Sequence, residues 1–145
     1  MKLFLDTNVL VAACLEEHEH HGRALPLVQT IHEKKVEGFA SAHTLLEMLA
    51  TLTRLPRSPR ILPMQAATLL EENVMKRFSV VSLTAKEYAE LARRLGREGI
   101  IGGQAYDALH LECARKSGAD RIYTFNVRHF QSLADDTMRP RIVSP

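Results

Sequence analysis

The chain alternates between short apolar runs and longer stretches whose apolar residues recur at helical spacing. The short runs predict strands at residues 2–5, 39–41, 78–83, 121–125 and 141–143. The longer stretches predict six helices. The first begins near residue 9, the second ends near residue 35, and another begins after residue 84. The remaining three cover residues 43–55, 64–77 and 104–117. Short strands that alternate with longer helices indicate an α/β fold, with a mainly parallel sheet and helices on both faces.

Helix-starting and helix-breaking residues support this division. Thr84-x-x-Glu87 has the form of a capping box and predicts the start of a helix. The segment 55–63 contains three prolines and predicts a connection between helices. Pro26 is compatible with the second helix only near the start of that helix, because proline lacks a backbone N–H.

The size and composition fit one domain spanning residues 1–145. Hydrophobic residues make up 46% of the chain and charged residues 25%, which excludes a disordered or disulfide-scaffold protein. The net charge is +2 and only 6% of residues are aromatic, with no Trp. These values argue against a broad polyanion-binding or base-stacking surface, so any contact with nucleic acid is expected at a local site.

The two cysteines and the lack of a long apolar segment bear on location. Cys14 and Cys113 form no CxxC motif, which favours two buried thiols in a reducing compartment. No apolar run approaches the ~18 residues of a membrane span. The residues before Cys14 resemble a lipoprotein cleavage box, but Asp6 and Asn8 interrupt its apolar region. We therefore expect a cytoplasmic protein with no membrane association.

Short polar residues follow two of the predicted strands. Asp6 follows the first strand and Asn126 follows the strand that begins at Arg121. Ligands of open parallel sheets bind beyond the carboxyl ends of the strands, so both residues are candidates for a site. Both are also favoured N-caps of the helices that follow, and this alternative remains open.

Asp107 lies in a predicted helix that is apolar on nearly all faces. Such a helix is expected to be buried, so the Asp107 carboxylate is predicted to be drawn into the interior. A buried carboxylate requires a donor, a basic partner or a metal ion. A ligand or catalytic role and a buried salt bridge or helix cap are both consistent with this position.

Glu47 lies on the polar stripe of an amphipathic helix. The neighbours of Glu47 on this stripe include His43, Thr44 and Arg54, while Met48 lies on the core side. The local pattern predicts a solvated side chain. Glu47 becomes a ligand only if the stripe faces the cleft near Asp6.

Separated carboxylates that folding brings to one sheet edge suit a hard divalent cation such as Mg²⁺ or Mn²⁺. Such an ion can generate hydroxide and orient a phosphodiester. Four arginines could then hold flanking phosphates, although a role as simple solvated charges is an open alternative: Arg54, Arg57, Arg60 and Arg128.

Four segments of the chain resemble, in order and spacing, the motifs of PIN-domain ribonucleases, and most nearly those of VapC toxins. These segments are Leu3-Phe4-Leu5-Asp6-Thr7-Asn8-Val9-Leu10, Ser41-Ala42-His43-Thr44-Leu45-Leu46-Glu47, Tyr106-Asp107-Ala108-Leu109-His110 and Tyr123-Thr124-Phe125-Asn126-Val127-Arg128-His129-Phe130. The resemblance implies a three-layer α/β/α sandwich and an Mg²⁺- or Mn²⁺-dependent endoribonuclease.

The resemblance also implies roles for single residues. Asp6, Glu47 and Asp107 match the acidic triad that holds the metal in this family. Asn126 stands where many members carry a fourth acidic residue, so a second metal site is expected to be weak. Thr124 matches a family threonine two positions earlier. We expect contacts with the substrate from Thr7, Thr124, Arg54, Arg57 and Arg128.

The family further implies a homodimer and an antitoxin whose tail enters the acidic cleft. A catalytically degenerate binding module and a housekeeping RNA-processing nuclease remain alternatives. A phosphatase with Asp6 as its nucleophile is disfavoured, because haloacid-dehalogenase-like phosphatases carry a second Asp where this chain has Asn8.

Overall fold

The computed structural model describes residues 1–145, and its centre is a five-stranded parallel sheet. The strands are β1 (Lys2–Leu5), β2 (Glu37–Ser41), β3 (Ser79–Val81), β4 (Arg121–Tyr123) and β5 (Ile142–Val143). Their order across the sheet is β3-β2-β1-β4-β5. The first strand therefore occupies the middle of the sheet, where Phe4 pairs with Phe39 on one side and Ile122 on the other.

Seven α-helices connect and cover the strands. They are α1 (Thr7–Cys14), α2 (His21–His32), α3 (Ala42–Arg54), α4 (Pro63–Leu70), α5 (Ala85–Glu98), α6 (Gln104–Ser117) and α7 (Val127–Leu133). The predicted capping box is confirmed at the start of α5, where the Glu87 N–H donates to Thr84 Oγ1 and the Thr84 N–H donates to Glu87 Oε1. None of the helices combines the length and the apolar character needed to cross a membrane.

The core divides into two halves, one on each face of the sheet. Successive β1 side chains point to opposite faces, so Leu3 and Leu5 join one half and Phe4 joins the other. Buried residues of α1 to α4 pack in the first half, and buried residues of α5 to α7 pack in the second. This arrangement confirms the expected three-layer sandwich with a parallel sheet.

Two helices differ from the sequence pattern. Pro26 is the sixth residue of α2 and lies deeper in the helix than expected. The helix starts several residues before Pro26, since the N–H groups of Arg23 and Ala24 already donate to the His20 carbonyl. The missing N–H removes a single i→i−4 bond, and the helix continues to His32. The predicted helix 64–77 is regular only to Leu70 and ends in a π-helical turn at Glu71–Met75.

The parallel topology brings the carboxyl ends of three adjacent strands to one edge of the sheet. Asp6 follows β1, Ser41 ends β2, and Thr124 follows β4. All three side chains are buried. The helices that start at or near this edge contribute the remaining side chains of the candidate site.

Candidate metal centre

Asp6 is held in place by two hydrogen bonds at the junction between β1 and α1. The Thr7 N–H donates to Asp6 Oδ1 at 2.7 Å, which makes Asp6 the N-cap of α1. The Thr124 hydroxyl donates to Asp6 Oδ2 at 2.8 Å. The capping role and the site role therefore coexist, because one carboxylate has enough lone pairs for both.

A row of buried hydroxyl groups connects α1 to α6 beneath the site. The Thr7 hydroxyl donates to Thr44 Oγ1 at 3.0 Å, and Thr44 Oγ1 lies 3.2 Å from Ser41 Oγ. Ser41 Oγ lies 2.8 Å from Nδ1 of His110. Thr7 thus belongs to the support of the site, since its side chain is buried and engaged within the protein.

The Nε2 atom of His110 lies between two carboxylates. Its distances are 3.9 Å to Asp6 Oδ1 and 3.6 Å to Glu47 Oε1, both too long for hydrogen bonds. One ligand atom from each of these three residues lies within 4.8 Å of the other two. The polar stripe of α3 therefore faces the cleft, and the purely local prediction of a solvated Glu47 is wrong.

Glu47 is also linked to the cleft through its own helix. Glu47 Oε2 lies 3.2 Å from Nε2 of His43, one turn earlier in α3. The His43 ring stacks on Tyr106, with centroids 4.8 Å apart and an interplanar angle of 6°. These contacts fix the carboxylate of Glu47 toward the junction of α3 and α6.

The pKa values of the cluster show how strongly its charges interact. Burial raises the pKa of Asp6 to about 6, against the lowering effects of His110 and Thr124. Burial would also raise the pKa of Glu47, but contacts with His110 and Thr7 and the charge of His110 lower it to about 2. Burial lowers the pKa of His110, yet Glu47 and Asp6 outweigh burial and leave that pKa above its usual range.

Asp107 lies in the first turn of α6 and is half-buried, so the prediction of an interior carboxylate is wrong. The reason is that this turn starts among the exposed residues Gly102, Gly103 and Gln104, before the helix passes under the sheet. Burial raises the pKa of Asp107, while the charges of His110 and His129 lower it. Asp107 thus lies near the cluster but outside the tight group of three ligand atoms.

The loop after β4 is tied to Asp6 through Thr124 and Asn8. Thr124 Oγ1 accepts a hydrogen bond from the Asn126 N–H at 3.0 Å. Asn8 Oδ1 accepts from the Phe125 N–H at 3.3 Å. The Asn126 side chain is exposed and makes no capping hydrogen bond to α7, so neither predicted role of this side chain is visible in its contacts.

The three arginines expected to contact substrate differ in their surroundings. Arg57 forms an ion pair with Glu17, which follows the carboxyl end of α1, at a distance of 3.0 Å. Arg54 and Arg128 are exposed, and neither forms an ion pair within the protein. The structure therefore leaves Arg54 and Arg128 available to an external anion and engages Arg57 internally.

His110 is the member of this three-residue group that the sequence pattern did not single out. It is fully buried between Leu109 and Leu111 in the sequence, and on α6 it lies at the edge of the side that carries Asp107. A titratable residue within a buried apolar run was the available signal, because such a residue must find a partner. Glu112, in the same helix, pairs with Arg94 at 2.9 Å and with Arg115 at 3.5 Å, outside the cluster.

Comparison with known proteins identifies related sequences over most of the chain. The PIN domain family matches residues 3–136. The chain is 37% identical over 108 residues to "Ribonuclease VapC27" of Mycobacterium tuberculosis, which covers 74% of this chain and 72% of that protein. It is 33% identical over 124 residues to "Ribonuclease VapC40" of the same species, which covers 85% of each.

Solved structures support the fold. The complex of VapBC2 from Rickettsia felis with a promoter DNA fragment matches at a TM-score of 0.65 and 21% identity, covering 100% of this chain and 99% of that one. VapC20 from Mycobacterium tuberculosis, described as a Sarcin-Ricin loop cleaving toxin, matches at a TM-score of 0.69 and 21% identity, covering 90% and 94%. At this identity the two structures support the architecture alone.

Proposed function

Because this chain belongs to the PIN-domain family of VapC-type ribonucleases, we propose that it is a divalent-metal-dependent endoribonuclease that hydrolyses RNA phosphodiester bonds. The observation that carries the proposal is the meeting of Asp6, Glu47 and His110 at one sheet edge. No other group of His, Cys, Asp and Glu side chains in the protein has ligand atoms this close together.

The residues present fit a divalent cation. Asp6 and Glu47 offer carboxylate oxygens, the ligand type that Mg²⁺ and Mn²⁺ prefer. The buried Nε2 atom of His110, which has no hydrogen-bond partner, lies beside both carboxylates and is a position that a bound ion can satisfy. When bound, the cation would supply a water of lowered pKa and stabilise the charge that develops on the phosphate.

The protein's own side chains would hold and orient this centre. Thr124 and the Thr7 N–H fix both oxygens of Asp6, so its carboxylate cannot rotate away. Glu47 stays ionised at all physiological pH values, because its pKa is about 2. Asp107 is half-buried in the first turn of α6, one turn before His110, and a carboxylate with this exposure remains accessible to a substrate. We propose metal or catalytic roles for Asp6, Glu47 and Asp107.

We further propose that the site would hold a single cation. Support comes from Asn126, whose neutral side chain is exposed and makes no capping hydrogen bond. Only its backbone N–H reaches that network, through Thr124. A strong second site would need a charged ligand at this position.

We propose that the protein is the toxin of a toxin–antitoxin pair and that an antitoxin tail blocks the cleft. Support comes from the VapC relatives and from structural neighbours solved as VapBC and FitAB assemblies with DNA. An arginine of the tail could pair with the carboxylates, a strong charge-assisted contact. A homodimer is part of the same proposal, with exposed apolar side chains of α5 and α6, such as Tyr88, Ala92 and Tyr106, as its candidate surface.

The proposed location is the cytoplasm. Support comes from the RNA substrate and from Cys14 and Cys113, which form no disulfide. Cys113 is buried as expected, and Cys14 is partly exposed. Burial raises the pKa of both thiols to about 11, so they are poor nucleophiles.

Cleavage of total RNA by the purified protein in Mg²⁺ or Mn²⁺ tests the activity. Discrete fragments are expected, and they should disappear with EDTA or with Asp107→Asn. Glu112→Gln is the matched control, because Glu112 lies on the same helix but pairs with Arg94. Cleavage that survives both EDTA and Asp107→Asn would refute the metal mechanism.

Two further measurements separate the alternatives. A degenerate binding module would show neither cleavage nor stabilisation by Mg²⁺ or Mn²⁺. A housekeeping nuclease would cleave RNA without arresting growth when it is expressed alone, whereas a toxin should arrest growth until its antitoxin is co-expressed.

A further inference from the structure

The Nε2 atom of His110 is the only buried side-chain nitrogen or oxygen in the protein without a hydrogen-bond partner. Its residue is 1% exposed, so bulk water cannot satisfy this atom. Native proteins rarely leave a buried polar atom unpaired, and an ordered water or a bound ion is the usual partner of such an atom. In this case the atom points into the group formed with Asp6 and Glu47.

The distances around Nε2 are those of atoms that share an ion. Two ligand atoms bound to one cation at about 2.1 Å lie roughly 3.0 to 4.2 Å apart, for angles between about 90° and 180°. His110 Nε2 lies 3.6 Å from Glu47 Oε1 and 3.9 Å from Asp6 Oδ1. Both distances are too long for hydrogen bonds and fall within this range.

The other ring nitrogen is held as expected for a metal-binding histidine. Nδ1 lies 2.8 Å from Ser41 Oγ, which also accepts from the Thr44 N–H at 3.2 Å. When His110 is neutral and the Ser41 hydrogen points to Thr44 Oγ1, Ser41 Oγ accepts from Nδ1–H and the Nε2 lone pair faces the carboxylates. A hydrogen bond of this kind fixes the tautomer and the orientation of a metal-binding histidine.

We propose that His110 Nε2 is a direct ligand of the divalent cation, beside Asp6 and Glu47, and that this nitrogen makes the site prefer Mn²⁺ over Mg²⁺. The inference rests on the proposed function only in requiring that the site binds a cation. Imidazole nitrogen suits transition-metal ions, whereas Mg²⁺ favours oxygen ligands and keeps its waters. His110 therefore converts an all-oxygen acidic site into a mixed one.

Electron spin-echo spectroscopy of bound Mn²⁺ tests the proposal without any RNA. The wild-type protein with about one equivalent of Mn²⁺ should show ¹⁴N modulation from a directly bound nitrogen. Incorporation of ¹⁵N-histidine should replace the ¹⁴N modulation by the ¹⁵N pattern, which identifies the nitrogen as histidine. This arm uses the unaltered protein and does not depend on a variant that folds.

Variants then identify which histidine binds. His110→Gln should abolish the modulation and lower the Mn²⁺ affinity by about 10- to 100-fold, with a smaller loss for Mg²⁺. His43→Gln is the matched control, because the Nε2 atom of His43 also lies near Glu47, and it should retain the modulation. If His110→Gln does not fold, modulation that persists in His43→Gln and in His129→Gln supports the same assignment by elimination.

Three outcomes would overturn the inference. Mn²⁺ bound without histidine modulation would place the ion among oxygen ligands only and would leave the proposed ribonuclease function intact. Modulation lost in His43→Gln would assign the nitrogen to His43. Absence of any Mn²⁺ binding would remove both this ligand and the metal dependence of the proposed function.

Discussion

The Thr124 hydroxyl donates a 2.8 Å hydrogen bond to Oδ2 of Asp6, and 118 positions of sequence separate the two residues. Both residues are buried, and they follow the adjacent strands β1 and β4. The same Thr124 oxygen accepts from the Asn126 N–H. Thr124 therefore acts on the candidate site through Asp6, as a positioning residue.

Thr124→Val is expected to weaken both the fold and the metal site. The substitution keeps the shape but leaves the Asn126 N–H and one Asp6 oxygen without a partner, which costs about 1–3 kcal/mol of stability. Loss of this support should also lower Mn²⁺ affinity by about 10- to 100-fold. Urea unfolding and isothermal titration with Mn²⁺ measure the two effects. Thr124→Ser keeps the hydroxyl, and an equally large loss in this control would contradict the role of the hydrogen bond.

The exposed arginines should contribute to RNA affinity through phosphate contacts. Arg54→Ala and Arg128→Ala are each expected to weaken RNA binding and to reduce the dependence of log K on log salt by about one unit. Arg57→Ala should have less effect, because Arg57 is paired with Glu17. Fluorescence anisotropy with labelled RNA over a range of salt concentrations measures these slopes. A larger change for Arg57→Ala than for the other two would place the RNA on the α4 side of the cleft.

Glu87 should make stability dependent on pH in acid. Hydrogen bonds from Lys116 and from the backbone of Thr84 lower the pKa of Glu87 to about 2, against a usual value of 4.5. A carboxylate with a lowered pKa stabilises the fold above its unfolded pKa, and the contribution is lost as pH falls toward 2. The difference in melting temperature between wild type and Glu87→Gln should therefore be largest near neutral pH and shrink below about pH 4.5. Glu90→Gln, on the same helix without an ion pair, is the control for the substitution itself, and a pH trend equal to that of Glu87→Gln would contradict the role of the Lys116 contact.

Two glycines offer a matched test of packing. A Cβ on Gly38 would lie 2.5 Å from Ile31 Cγ2 and 2.9 Å from Phe78 Cδ1, so Gly38→Ala should cost about 1–3 kcal/mol. A Cβ on Gly96 would meet no atom within 4 Å, and Gly96 lies inside α5. Gly96→Ala should therefore raise stability by up to about 1 kcal/mol through helix propensity. Equilibrium unfolding of the two variants gives both values, and effects of the same sign would contradict this packing.

The sequence pattern was sufficient for the elements that local chemistry determines. The apolar period of β1, the capping box of α5 and the cap at Asp6 all depend on neighbours within a few positions, and the structure contains each of them. To predict that Asp6 meets the polar stripe of α3, one needs the order of the strands in the sheet. That order follows from long-range pairing, which no local pattern contains.

The assignments that failed depended on tertiary packing. The pattern of α3 alone predicts a solvated Glu47, because the polar face of a helix does not reveal which side chains of other elements lie opposite it. In the structure Asp6 and His110 lie opposite Glu47. The apolar pattern of α6 predicts a buried Asp107, because the pattern does not show that neighbouring elements leave the first turn of the helix partly exposed. The position of His110 on α6 does not mark it as a site residue. Its contact with Ser41 at the end of β2 shows that it lies at the same sheet edge as Asp6.

The central position of β1 has a consequence for the order in which the nuclease is made. Leu3 pairs with Arg121, so the middle of the sheet stays open on one side until most of the polypeptide has been synthesised. Asp6 and Glu47 leave the ribosome long before Thr124 is translated, and Oδ2 of Asp6 lacks its hydrogen bond from Thr124 in that interval. The candidate metal site is therefore complete only when synthesis of the chain is nearly finished.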